Sequence, residues 1–95
     1  YPRGWTEHVH EETYVEYVYD EDSTILVRID GTMGEDQYSV SPITGVNDAG
    51  EEFVTRPLSG LSAEEAFEIA ASLVYAINGT IGRVSGDSEF NGDNQ

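Results

Sequence analysis

Several residue types are scarce or missing in this chain of 95 residues, which has no cysteine, no lysine and three prolines. The absence of cysteine excludes disulfides, thiolate metal sites and cysteine nucleophiles. The chain also lacks a long uninterrupted apolar run, so the sequence predicts no transmembrane helix. The absence of cysteine leaves the redox compartment undecided. We expect a cytoplasmic protein that makes no contact with a membrane.

The charge is strongly one-sided, because 19 acidic residues face four basic ones and the formal net charge is −15. All four basic residues are arginine. A disordered acidic segment would have few aromatic residues, whereas 11% of this chain is aromatic. A nucleic-acid mimic would be acidic but would have no reason to exclude lysine. An acidic protein–protein interaction domain is a further alternative.

A protein that works in molar salt explains both the excess of carboxylates and the missing lysine. At 1 M ionic strength the Debye length is about 3 Å, so repulsion between carboxylates is screened. The alkyl stem of lysine would add apolar surface that salt drives to aggregate. We therefore expect a halophilic protein whose folding depends on salt.

Alternation of apolar and polar residues predicts an antiparallel β-meander of three to four strands. The expected strands cover residues 13–20, 24–30, 37–43 and 51–57, and the segment from about Thr6 is a further candidate. The inward residues are predicted to be Val15, Tyr17, Tyr19, Ile25, Val27, Ile29, Tyr38 and Val40. The sequences DEDS and NDAG predict turns.

One amphipathic helix is predicted after the strands. Ser62 and Glu65 match a capping box at its start, and Gly79 with Asn78 before it predicts its end. Its apolar stripe comprises Ala66, Phe67, Ile69, Ala70, Leu73, Val74 and Ile77. The sequence thus predicts an α+β fold with the helix on one sheet face. We expect a single domain over residues 1–84 and a disordered acidic tail over residues 85–95.

Trp5 near the start, the alternating short strands and the segment SAEEAFEIAASL together resemble small acidic proteins of haloarchaea. The likeness covers about Trp5 to Gly79 and rests on pattern and charge. The turn SAEEA is also similar to the helix entry of DNA-binding domains built from three strands and a helix. Those domains read DNA with basic strands, whereas this sheet offers Arg28 and Arg56 amid carboxylates.

The motif HVH is the feature of this sequence that most resembles a metal-binding site. On a strand, His8 and His10 project to the same side, so both rings could bind one ion. Beyond neighbouring carboxylates the sequence names no third or fourth ligand, so we interpret both as exposed strand residues and predict no metal site and no cofactor. A metal-dependent function at His8 and His10 stays open as a further alternative. No nucleophile and base stand at an interpretable spacing, so we predict no enzymatic activity and identify no small-molecule substrate.

The sheet face away from the helix is predicted to keep apolar groups, namely Tyr14, Val18 and Leu26, with Arg28 beside them. Arginine and tyrosine often carry interface energy, so these four residues form the candidate contact surface. We expect a non-catalytic protein that binds a protein partner or forms a homodimer. The alternative is a nucleic-acid-associated or regulatory domain, against which four scattered arginines argue.

Overall fold

The structure, a computed structural model, describes residues 1–32 and 35–91, with side chains described as far as Gly82. In this part of the chain six strands form one antiparallel sheet, and one helix packs against it. In chain order the elements are β1 (Trp5–Glu11), β2 (Tyr14–Tyr19), β3 (Ile25–Asp30), β4 (Tyr38–Val46), β5 (Glu52–Val54), β6 (Leu58–Leu61) and α1 (Ala63–Asn91). The predicted α+β class is confirmed, with more strands than the three to four expected.

The first four strands form a meander, since each pairs antiparallel with the next one in sequence. The turn between β2 and β3 is closed by Asp22, whose carboxylate accepts hydrogen bonds from the backbone N–H and the hydroxyl of Thr24 at 3.0 and 2.6 Å. The turn between β4 and β5 is closed by the Gly50 N–H, which donates to the Asn47 carbonyl at 2.9 Å. Both predicted turns are confirmed.

The core lies between the sheet and the helix. Strand side chains alternate between the two faces of a sheet, so every second residue of β2, β3 and β4 faces the helix. The buried core consists of Trp5, Val15, Val27, Ile29, Tyr38, Val40, Ala66, Ala70 and Val74. Tyr17, Tyr19, Ile25 and the remaining residues of the predicted helix stripe pack against it, half-buried. The predicted inward residues and helix stripe are therefore confirmed.

The strands β5 and β6 form one interrupted edge along β4. Val54 of β5 lies opposite Ile43, whereas Leu58 of β6 lies opposite Val40. Between them come Arg56, with a φ of 32°, and Pro57, which has no N–H to donate to a ladder. The strand predicted over residues 51–57 therefore ends at Val54, and β6 follows as a strand that the sequence did not predict.

The helix α1 begins as predicted. The backbone N–H of Ser62 donates to the Glu65 carboxylate at 3.0 Å, and the Glu65 N–H donates to the Ser62 hydroxyl oxygen at 3.1 Å. This reciprocal pair satisfies two N–H groups that have no partner inside the helix. From there the helix crosses β3, β4 and β6.

The predicted helix end at Gly79 is wrong, because α1 continues to Asn91. Asn78 lies inside the helix, where its amide oxygen accepts a hydrogen bond from Trp5 Nε1 at 3.0 Å. A contact with β1 therefore occupies the side chain that resembled a helix cap. α1 includes residues 85–91 of the expected disordered tail, and residues 92–95 lie outside the part of the chain that the structure describes.

Candidate binding surfaces

The sheet face away from the helix, here called the outer face, holds all four residues of the predicted contact surface. Val18 lies opposite Leu26, and Tyr14 and Arg28 follow on the same face. Leu26, however, is 7% exposed, and its neighbour Ile43 on β4 is fully buried. Leu26 was expected to be exposed, and this is wrong because apolar residues flank it on both neighbouring strands.

Arg28 is held by carboxylates from two other strands. Its Nε donates to Glu16 Oε2 at 3.0 Å, and its two terminal nitrogens donate to the Glu52 carboxylate at 3.3 and 3.0 Å. The guanidinium thus joins β2, β3 and β5, and its pKa is raised, first by the hydrogen bonds to Glu52. We therefore interpret the ion pairs of Arg28 as structural contacts that hold β5 against the sheet.

Glu16 is the centre of this polar cluster. Burial alone would raise the pKa of its carboxyl. Hydrogen bonds from His10 and Arg28, together with the charge of Arg28, lower this pKa by more than burial raises it. The pKa of Glu16 therefore lies below the ordinary value of glutamate. Tyr14 donates its hydroxyl to Glu16 at 3.3 Å. Its pKa is raised, chiefly by burial. The carboxylate is therefore charged at neutral pH and serves internal bonds.

The two histidines of the HVH motif lie side by side, with ring centroids 6.5 Å apart. His10 Nε2 is 2.8 Å from Glu16 Oε1, and the His10 ring stacks on Tyr14 with centroids 4.8 Å apart. Among the side chains that the structure describes, no group of three or more histidine or acidic residues could hold a metal ion. His10 thus belongs to the polar group formed by Tyr14, Glu16, Arg28 and Glu52, here called the Arg28 cluster.

A groove of about 390 Å³ opens on the opposite side of the sheet, where α1 passes over the ends of β3 and β4. We call it the helix groove. It is lined by Ile25, Thr44, Ala76, Ile77, Thr80 and Ile81. These side chains are aliphatic apart from two threonines, and none is charged. The volume lies within the range of ligand pockets, about 300 to 1,000 Å³.

The helix flank that borders this groove faces away from β1. Asn78 points to β1 through its bond with Trp5. At about 100° per residue, positions two before and two after Asn78 lie about 160° round the helix from it. Ala76 and Thr80 occupy those positions, and both are exposed. The groove therefore opens on the flank of α1 that is turned away from β1, next to β3 and β4.

The exposed surface of the helix carries no charged residue over positions 69–82. Glu64, Glu65 and Glu68 are exposed in its first turns, but no acidic residue occurs from position 69 to position 86. The exposed residues that follow Glu68, as far as the side chains are described, are Ala71, Ser72, Tyr75, Ala76, Thr80 and Gly82. Our sequence interpretation missed this surface, although the acid-free run is visible in the sequence.

Phe53 is an exposed aromatic residue on β5, outside the lining of the helix groove. Its neighbour Val54 lies opposite Ile43 and so belongs to the outer face, which places Phe53 on the helix side of the sheet. A Cβ on Gly45 would lie 3.8 Å from the Phe53 ring, and Gly45 follows the groove residue Thr44. The Phe53 side chain is 54% exposed. The Phe53 ring therefore lies next to the β4 residue that follows Thr44, on the same side of the sheet as the groove.

The fold and these surfaces define a small α+β domain whose charge is concentrated away from one apolar groove. No helix in the described part of the chain has the length and apolar character needed to cross a membrane. Comparisons of the chain with protein-family models, with curated proteins and with solved structures found no match.

Proposed function

We propose that this chain is a non-catalytic, halophile-adapted binding domain that holds a protein chain in its helix groove, without a cofactor. The observation that supports this most directly is the absence of carboxylates from residues 69–82 of α1. On a chain with 19 acidic residues, an uncharged exposed surface bordering an apolar groove is the surface best suited to being covered.

The groove is preferred over the outer face for a physical reason. On the outer face Leu26 is buried and Arg28 already bonds two carboxylates. A partner that used Arg28 would have to break those bonds and leave charges unpaired, which costs free energy. The helix groove offers apolar surface that no described side chain covers.

A nucleic-acid-associated function, our alternative, is less well supported. Arg28 is the only arginine in an ion pair among the described side chains. Arg3 precedes β1 and Arg56 lies between β5 and β6, so these two arginines belong to opposite edges of the sheet. Phosphate contacts weaken steeply as salt rises, so a DNA-binding protein in molar salt would need clustered cations. Neither the outer face nor the helix groove provides such a cluster.

The proposal is tested by photo-crosslinking in cell extract kept in molar KCl. A photoreactive residue replaces Ala76 in the groove or, as the matched control, Ala63 at the helix start; both positions are exposed. We expect specific protein adducts from position 76, with a second copy of the chain counted as a partner, and none of these from position 63. Equal adducts from both positions, or adducts to nucleic acid alone, would contradict the proposal.

A further inference from the structure

We infer that the partner in the helix groove is a second copy of this chain, with Phe53 of each copy inserted into the groove of the other. This inference rests on the proposed function and names its partner. The exposed ring is on the helix side of the sheet next to Gly45, and Gly45 follows the groove residue Thr44. A two-fold axis between them places each ring opposite the partner's groove, which makes the surface self-complementary.

The sizes of ring and groove agree. A cavity of about 150 Å³ lined by aliphatic and aromatic side chains accepts a benzene molecule, so a groove of about 390 Å³ has room for a phenylalanine ring. The ring is 54% exposed in the single chain, and its transfer from water to an apolar pocket is favourable. Aromatic anchors buried in pockets are the residues that most often dominate binding energy.

Charge favours a second copy over a basic partner. A surface that binds a basic protein is expected to carry carboxylates, because opposite charges attract each other across an interface. The lining of the helix groove contains none. Two copies that each carry a net charge of −15 can approach with least repulsion where both surfaces are uncharged.

Two substitutions test the contributions of the Phe53 ring and of the helix groove separately. Phe53→Ala removes the ring but leaves the groove intact, and Ala76→Glu places a carboxylate in the groove but leaves the ring. Both positions are exposed, so the fold should survive, and circular dichroism checks this. Ala63→Glu is the matched control, because it adds the same charge at an exposed helix position away from the groove.

The measurement is sedimentation equilibrium of the purified chains in molar KCl. We expect the parent and Ala63→Glu to form dimers, and each of Phe53→Ala and Ala76→Glu to weaken dimerisation by roughly tenfold or more in Kd. An equimolar mixture of these two variants should recover part of the association, because the Phe53→Ala copy keeps an intact groove that accepts the ring of the Ala76→Glu copy.

A monomeric parent, variants that dimerise as well as the parent, or a mixture with no recovery would overturn the inference. These results would leave the proposed function standing if position 76 still crosslinks to a different protein in extract. An absence of adducts at position 76 together with a monomeric parent would overturn both.

Discussion

The hydrogen bond between Trp5 and Asn78 joins the first strand to the middle of the helix across 73 positions of sequence. Trp5 is buried, so the indole N–H depends on this acceptor for its hydrogen bond. The side chain that resembled a helix cap in the sequence is therefore a long-range contact. A local pattern cannot reveal such a contact, because its donor lies far away in the chain.

We expect Asn78→Ala to destabilise the fold by about 1 to 3 kcal/mol, because the buried Trp5 N–H would lose its acceptor. The free energy of unfolding is measured by urea denaturation in molar KCl. Trp5→Phe removes the donor and provides the second arm of a double-mutant cycle. An Asn78→Ala effect of the same size in the Trp5→Phe background would show that the bond contributes nothing.

The Arg28 cluster shows why a surface residue is difficult to assign from sequence. Arginine on an exposed strand face resembles an interface residue, and our sequence interpretation took Arg28 in that sense. Glu16 is its direct cross-strand neighbour, and Glu52 reaches it from β5. Which carboxylates meet an arginine depends on strand register, which alternation of residue types leaves open.

At the scale of elements, alternation predicted the strands well where they were long enough to alternate. Most inward residues of β2, β3 and β4 and most of the helix stripe were predicted, because one face of each element must be buried. The inward Pro42 of β4 and Ile81 of the helix were missed. β6 was missed because its four residues include Gly60 and follow Pro57, both of which signal a break. The helix groove was missed because it forms between elements and has no motif of its own.

Two glycines provide a matched test of where the helix ends. A Cβ added to Gly82 or to Gly60 would meet no atom within 4 Å, but Gly60 has a φ of 71° and Gly82 lies in α1. We expect Gly82→Ala to stabilise the fold by about 0.5 to 1 kcal/mol through helix propensity. Gly60→Ala should destabilise it by about 1 kcal/mol because of the left-handed backbone.

Thermal unfolding followed by the helical circular dichroism signal measures both changes, at a protein concentration low enough to keep the chain monomeric. If Gly82→Ala proves neutral while Gly60→Ala is destabilising, the helix ends before residue 82, as the Asn78 and Gly79 pattern first indicated. If both are stabilising, the left-handed conformation of Gly60 is wrong.

At the scale of the whole molecule, charge sets the conditions under which this fold is stable. Among the described side chains, Arg28 is the one arginine that forms ion pairs, and most carboxylates form none. At 10 mM salt the Debye length is about 30 Å, and the molecule measures 53 × 31 × 21 Å. Carboxylates across its whole width therefore repel each other at low salt.

We expect the chain to gain structure between low-millimolar and molar KCl, because screening removes this repulsion and salt also strengthens apolar burial. Circular dichroism and urea unfolding at each salt concentration measure the gain. The two effects separate in potassium sulfate at matched ionic strength: screening predicts the same gain as in KCl, whereas exclusion of sulfate from the protein surface predicts a larger one. Full cooperative structure at low-millimolar salt would contradict the halophilic interpretation. It would also remove the reason to read the uncharged helix groove as an adaptation, because a chain that tolerates its own repulsion does not need an acid-free surface to meet a second copy.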